Sequence, residues 1–334
     1  MDQNYHIFSD GRIERQQNTL RFVRWNEETE EEEVEYLPVE NVEALFLHGQ
    51  VRFNTKLVSF LNDHGIAMHV FGWKDHYAGS VMPERGQTSG KTLVHQVRVY
   101  ESERRRAVAA ELVDGAIHNM KSNVLYYNRK DYALDDVIDE MERAREQVSD
   151  DMVIEDLMGV EARARKAYYR LFNRVLPEDF QMERREYQPP PNEVNSLISF
   201  GNSLVYASCV SAIRATALDP SISYLHEPGD RRYSLALDIA ELFKPLLADR
   251  ILCRVVNRKQ IKTDDFEEEV GGCLLNESGR KTYTKAFEDT LEQTVEHPDL
   301  NRHVSYQYLI RLEAYKIKKH VLTGEPYQSF KRWW

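Results

Sequence analysis

Residues 224–245 read YLHEPGDRRYSLALDIAELFKP. The second half has the period of an amphipathic helix, with Leu235, Ile239, Leu242 and Leu246 recurring at i+3/i+4 spacing as one apolar stripe. Two acids, Asp238 and Glu241, stand one turn apart beside that stripe, so both can point into one cleft. Pro245 has no N–H for the carbonyl of Glu241, which predicts that the helix bends or frays there. Upstream, His226 lies in HEPGD, the loop that feeds the helix. A lone histidine near a helix start is ordinarily a polar loop residue. A histidine with two carboxylates at the border of a core asks for more, because a buried charge is costly unless it is paired, protonated or bound to a metal.

A third acid has the same setting. Read as a helix, residues 151–175 place Leu157, Val160, Ala164, Tyr168, Leu171 and Val175 on one buried stripe, and Glu161 falls inside it. Two readings stand side by side: a salt bridge to Arg165 one turn on, or a metal ligand. One imidazole with carboxylate oxygens suits Mn²⁺ or Mg²⁺ better than structural zinc, which prefers Cys and His. Between these segments, Val194, Leu197, Ile198, Gly201, Leu204, Val205, Ser208 and Ala212 trace a helix that is apolar on most sides. It reads as the central core helix of the domain, with Gly201 admitting a close neighbour.

The rest of the chain sets the frame. Its 334 residues allow two domains, and 42% hydrophobic with 30% charged residues is an ordinary globular balance. Residues 1–85 read as short strands. Turns are expected at Asp10-Gly11, Asn18 and Gly49, a helical segment stops at Gly65, and the acidic run 27–33 reads as a solvated hairpin loop. This β-rich part shows no obvious pocket in its sequence and suggests packing and association. Polar, Gly-bearing residues 86–92 read as a linker, and 93–334 as a helical domain with a long helical stretch over 94–127. The fold class is therefore α+β, segregated along the chain.

No uninterrupted apolar run reaches the roughly 18–20 residues that span a bilayer, and the N-terminus has no signal-peptide pattern. Cys209, Cys253 and Cys273 lack CxxC spacing, so reduced thiols and a cytoplasmic location are expected, with no membrane partner.

A net charge of −11 does not draw nucleic acid to the molecule as a whole, so an anionic partner must be held locally. Basic residues do cluster beside the candidate ligands: Arg163, Arg165 and Lys166 after Glu161; Arg184 before the PPP loop; Arg231 and Arg232 between His226 and Asp238; then Arg254, Arg258 and Lys259. Each cluster alone is a solvated face, but their recurrence at every candidate ligand fits a phosphate backbone. Tyr168, Tyr169, Tyr187 and Tyr233 are open to two readings, stacking on bases or packing.

Taken in order, FSDGRIERQQNTL, PVENVEALFLHGQVRFNT, GVEARARKAYY, PPPNEVNSLISFGN, YLHEPGDRRYSLALDIAELFKP and the C-terminal HVSYQYLIRLEAYKIKKHVLTGEPYQSFKRWW resemble the CRISPR-associated integrase family that captures spacers, the "Cas-one" family. The resemblance runs nearly end to end. It implies a β-rich N-terminal domain used for homodimerisation and an all-helical catalytic domain. It implies a divalent metal, Mg²⁺ or Mn²⁺, on Glu161, His226 and Glu241, with Asp238 close by as a catalytic residue. Some members carry Asp where Glu241 stands, and Ala162 replaces a frequent glycine; neither removes a ligand. It further implies double-stranded DNA as substrate, spacer precursor and repeat, and a small second adaptation protein bridging two dimers. The chemistry expected is phosphodiester cleavage with water, or strand transfer with a DNA 3′-hydroxyl. Two other functions keep the same residues: a general structure-specific nuclease, and a catalytically silent DNA-binding scaffold.

Overall fold

The structure, a computed structural model, describes residues 3–26, 29–72, 76–84, 89–186, 189–230, 233–269 and 271–334. The chain divides into two compact units, Met1–Thr88 and Ser89–Trp334.

The first unit contains strands β1 (Gln3–Ile7), β2 (Gly11–Gln16), β3 (Thr19–Asn26), β4 (Glu31–Pro38), β5 (Val42–Leu47) and β6 (Val51–Arg52), helix α1 (Thr55–His64), then β7 (Ala67–Phe71) and β8 (Tyr77–Val81). They form two four-stranded sheets, ordered β1-β5-β7-β8 and β4-β3-β2-β6. Both sheets and α1 supply the core, including Ile13, Phe22, Leu45, Leu57, Phe60 and Met68. Asn54 caps α1 by accepting from the Leu57 N–H, and Gly65 ends it in the left-handed region at φ 71.

Two of the three expected turns are something else. Gln17-Asn18 is a hairpin turn, since Gln16 pairs with Thr19. Asp10-Gly11 and Gly49 instead mark crossings from one sheet to the other: β1 pairs in parallel with β5, while β2 pairs in parallel with β6. The two crossings are bonded together, with the Gly49 N–H donating to the Ile7 carbonyl and the Gln50 N–H to Asp10 Oδ1. A Cβ on Gly49 would lie 2.6 Å from the Phe8 carbonyl oxygen, so glycine there serves close backbone approach. Local turn chemistry reads the same in both cases; only the partner strand differs. The acidic run also departs from expectation in its second half. Glu31, Glu32 and Glu33 open β4, and Glu33 pairs with Arg24 at 2.6 Å; residues 27 and 28 lie outside the described residues. This unit carries an open recess of about 480 Å³ lined by Arg12, Trp25, Glu32 and Arg52 among others, which the strand pattern did not foretell.

The second unit runs through α2 (Gly90–Tyr100), α3 (Arg104–Asn128), α4 (Asp135–Arg145), α5 (Ile154–Val175), α6 (Glu193–Arg214), α7 (Ser234–Lys244), α8 (Arg250–Asn257), β9 (Phe266–Glu269), β10 (Gly272–Leu275), α9 (Glu277–Leu291), β11 (Thr294–His297), β12 (Arg302–Ser305) and α10 (Tyr306–Thr323). The unit is helical but not all-helical: β9–β10 and β11–β12 are antiparallel hairpins. The stretch expected as linker becomes helix at Gly90, because the Ser89 hydroxyl accepts from the Thr92 N–H. The single helix expected over 94–127 is two, parted where the Ser102 hydroxyl donates to the Val99 carbonyl.

The α5 stripe is as patterned: Leu157, Val160, Ala164, Tyr168 and Leu171 are fully buried. Helix α6 is long and apolar enough to cross a membrane by length and composition alone, a point the reading of uninterrupted runs missed; most of its apolar window is buried inside the protein. Gly201 on α6 lies against α9, where an added Cβ would stand 2.2 Å from the Tyr283 hydroxyl and 3.0 Å from Ala248 Cβ. Pro245 does not fray α7. The chain widens into one π-helical segment, Pro245–Asp249, before continuing as α8. Two amides of α3 cover the loosened carbonyls: Asn119 Nδ2 donates to Leu242 O at 2.9 Å, and Asn123 Nδ2 to Pro245 O.

The contact at Gly201 gives a direct test. Gly201→Ala should destabilise the protein by about 1–3 kcal/mol through overpacking, read from the urea midpoint, and adding Tyr283→Phe should return part of the loss. An alanine variant as stable as the parent would show that the α6–α9 contact is looser than described.

Candidate active site

The stretch that feeds α7 is fastened by one carboxylate. Asp238 is fully buried, and its Oδ2 accepts from the backbone N–H groups of Tyr224, at 2.7 Å, and Leu225, at 3.1 Å. Its Oδ1 accepts from the His226 N–H at 2.9 Å and meets His226 Nδ1 at 2.8 Å. An ionised carboxylate only accepts, so Nδ1 carries the proton in this pair and Nε2 of a neutral ring keeps its lone pair. Burial disfavours the imidazolium, but the bond to Asp238 and its charge outweigh that, and the His226 pKa is raised. Asp238 is thus saturated: it holds His226 rather than offering an oxygen to a ligand. A histidine held through Nδ1 by a carboxylate is the usual arrangement of a metal-binding imidazole.

Glu161 on α5 and Glu241 on α7 face a common cation. Arg165 Nε donates to Glu161 Oε1 at 2.5 Å, and its Nη2 pairs with Glu241 Oε2. Lys244 Nζ takes the other Glu241 oxygen at 2.5 Å. Burial raises the cost of charge on Glu241, but Arg165 and then Lys244 hold its carboxyl well below the ordinary range. Both readings of Glu161 therefore meet here: the salt bridge to Arg165 exists, and it joins the same two carboxylates proposed as ligands. Among the described residues no three His, Cys, Asp or Glu side chains are already gathered at metal-binding spacing. The donor chemistry nonetheless fits a divalent cation: the Glu161 and Glu241 carboxylates converge on the Arg165 guanidinium, and an oriented imidazole feels the charge of Glu241.

The basic and aromatic candidates separate. Arg165 is committed to Glu161 and Glu241 and is not a surface contact for DNA. Tyr168 is fully buried, donating to Asp249 Oδ2 at 3.0 Å and accepting from Asn123 Nδ2 at 3.1 Å, so it packs and cannot stack on a base. Its position on the α5 stripe foretold that. Arg163 and Lys166 are exposed on α5, Arg163 reaching Gln147. Arg184 is exposed and paired with Glu186, Arg258 and Lys259 are exposed at the end of α8, and Arg254 is half-buried. Arg231, Arg232 and Tyr187 lie outside the described residues. Sequence reading missed Lys244 and the buried set Asn123–Tyr168–Asp249 behind the site. The available signal was Asn119 and Asn123, one turn apart among the buried positions of α3, beside Met120 and Val124. Burial pushes the Cys253 and Cys273 thiols up to about 12, which leaves little thiolate for chemistry.

With this arrangement in view, the likenesses to known proteins are specific. A family model described as CRISPR associated protein Cas1 matches residues 5–289. A CRISPR-associated endonuclease Cas1 from Haloferax volcanii is 51% identical over 332 residues, covering 99% of each chain. The structure of a CAS1 protein from Thermotoga maritima superposes with a TM-score of 0.85 at 35% identity, covering 98% of this chain and 99% of the other. A casposase bound to integration product shares the fold alone, with a TM-score of 0.86 at 17% identity over 99% of this chain and 93% of its own. The chain belongs to the CRISPR-associated Cas1 family. The β-rich N-terminal part followed by a helical part is the fold that membership leads one to expect.

The buried Asp249 supplies a pH test of the structure behind the site. Burial, with a smaller push from Glu241, raises its carboxyl to about 6 against the opposing pull of Arg165, Tyr168 and Lys244. The folded state then binds more protons than the unfolded chain between about pH 4 and 6, so this residue's contribution to stability falls as pH rises through that window. Asp249→Asn keeps an acceptor for the Tyr168 hydroxyl and removes the titration. Its stability relative to the parent, from urea melts, should rise by about 3 kcal/mol at most between pH 4 and 7. A difference that stays flat across that range would contradict the burial of an acid there.

Proposed function

We propose that this chain is a divalent-metal-dependent DNA endonuclease and integrase that joins spacers to a CRISPR repeat. The observation that carries the reading is the convergence of Glu161 and Glu241 on one cationic position, next to a His226 whose tautomer is fixed by the saturated Asp238. Glu161, Glu241 and His226 Nε2 would hold Mg²⁺ or Mn²⁺, which when bound supplies Lewis-acid polarisation of a phosphodiester. The chain's own groups set the stage: Asp238 orients the imidazole, and Arg165 and Lys244 offset negative charge at the carboxylates. Double-stranded DNA is the proposed substrate. Its backbone would be met by exposed cations such as Arg163, Lys166, Arg184, Arg258 and Lys259.

The proposed assembly is a homodimer through the N-terminal unit, bridged by a small second adaptation protein, working in the cytoplasm without a membrane partner. Resemblance to the family supports this assembly. Strand transfer on a labelled repeat, with and without divalent metal and the partner, tests the reading; hydrolysis without joining would favour the general nuclease.

Glu161→Gln, His226→Ala and Glu241→Gln should each lower strand transfer by at least about a hundredfold while DNA affinity, carried by many phosphate contacts, stays near that of the parent. Asp238→Asn should cost about 10–100-fold, because it acts through His226. Activity retained in Glu161→Gln would leave Glu161 a structural salt-bridge residue. Arg165→Gln separates the two roles of the ion pair: without divalent metal it should destabilise by about 3–5 kcal/mol, leaving Glu161 without its cation and Glu241 with Lys244 alone. Added Mn²⁺ should restore part of its melting temperature and restore none in Arg165→Gln combined with Glu161→Gln and Glu241→Gln.

A further inference from the structure

The second unit also holds a cavity of about 420 Å³ whose lining includes Lys130, Arg250, Arg254 and Arg258 and no aspartate or glutamate. That is unexpected in a chain whose net charge is −11. The three arginines recur every fourth residue along α8 and its C-cap, so they share one face. Among the described residues none of the four cations makes an ion pair. Three of them are held by uncharged groups instead. Arg254 Nη2 donates to the Ala286 carbonyl and the Thr290 hydroxyl, both at 2.9 Å. Lys130 Nζ donates to the Tyr126 hydroxyl at 2.8 Å, and the Arg250 guanidinium lies 5.5 Å from the Tyr126 ring centroid. Among the described residues, three of these positive charges are thus held in place without an ion pair.

The electrostatics agree with the geometry. Burial and then the like charges of Arg258 and Arg250 lower the Arg254 pKa, with Asp289 and Tyr283 giving the opposing pull. Arg332 is lowered by burial and then by Arg250 as well. Like charges at i,i+4 destabilise a helix, so an arrangement of this kind is relieved when an anion arrives. Guanidinium groups match phosphate oxygens in pairs, and the volume falls within the range of small-ligand sites, about 300–1,000 Å³. At the lining, Tyr126 and Tyr132 add aromatic surface suited to a base.

We propose that this cavity is a second, non-catalytic site that takes the phosphate of a nucleotide, with the base against Tyr126 and Tyr132. None of its lining residues belongs to the Glu161–His226–Glu241 set, and the inference stands apart from the metal chemistry. The shared chemistry is a phosphate carrying a nucleoside; the source is either a free mononucleotide or the phosphorylated end of a single strand.

Calorimetric titration of the full chain without divalent metal, at about 150 mM salt, tests it. The probes are thymidine 5′-monophosphate, thymidine, inorganic phosphate, and a single-stranded thymidine tetranucleotide with a 5′-phosphate or a 5′-hydroxyl. The monophosphate or the phosphorylated strand should saturate one site, phosphate should compete, and thymidine should not bind. A phosphorylated strand binding at least about tenfold tighter than the monophosphate assigns the strand end; equal affinity assigns the free nucleotide. Arg250→Gln with Arg258→Gln should lose at least about tenfold in affinity, while Glu161→Gln binds as the parent does. Lys130→Gln, which leaves α8 intact, should weaken binding in the same direction and serves where the double variant fails to fold. Absence of saturable binding by any phosphorylated probe, parent-like binding in the α8 and Lys130 variants, or loss of binding in Glu161→Gln would each overturn the assignment.

Discussion

The carboxylate of Asp238 is the group on which the site is built. It is fully buried and it accepts four hydrogen bonds, three from the consecutive backbone N–H groups of Tyr224, Leu225 and His226 and one from the His226 ring. A buried carboxylate is tolerated only when its lone pairs are taken, and here the partner is a stretch of chain that would otherwise expose unpaired donors. The bonding therefore works in both directions: it occupies the buried oxygens of Asp238 and it turns an irregular segment into a fixed one. The imidazole inherits that rigidity, and with it a defined tautomer.

Helix α7 then has to carry Glu241 to the same place while passing beside α3. The π-helical segment after Pro245 changes the phase of the helix, so the residues beyond it face a different neighbour from those before it. Asn119 and Asn123 on α3 take the carbonyls this leaves open, and Asn119 also accepts the Arg332 N–H of the C-terminal segment at 2.8 Å. One pair of amides thus fixes α7 and the tail together. Behind it, Asn123, Tyr168 and Asp249 close a buried polar chain that spaces α5 from α8. The consequence is a bundle with two differently charged stretches: acids paired with Arg165 and Lys244 along one, and beyond the π-helical segment arginines that make no ion pair among the described residues.

Arg165 shows how a salt bridge and a ligand set coexist. With side-chain exposures of 13%, 17% and 11% for Arg165, Glu161 and Glu241, the three groups are too buried to leave unpaired. A guanidinium between two carboxylates, with Lys244 on the other oxygen of Glu241, satisfies them at the cost of desolvating the groups. The same two carboxylates are the proposed ligands of a divalent ion, so the residue that stabilises the fold also marks where that ligand would compete.

Periodicity and side-chain chemistry, which are local, were enough to read the α5 and α7 stripes, the buried α6 and the stop at Gly65, and to single out Glu161, His226, Asp238 and Glu241 as candidates. The same local rules misplaced Asp10-Gly11 and Gly49, because a turn signal states that the chain changes direction and not which strand it meets next. They could not divide labour among the site residues: whether a carboxylate is saturated, as Asp238 is, or paired to a distant arginine, as Glu241 is, depends on groups 12 to 76 positions away. They counted Arg165 and Tyr168 among surfaces for DNA, though packing had committed both to the interior. Local pattern determined which residues are expensive to bury; only the tertiary structure decided which neighbour makes each burial tolerable, because hydrogen-bond and ion-pair partners are set by long-range packing and not by spacing along the chain.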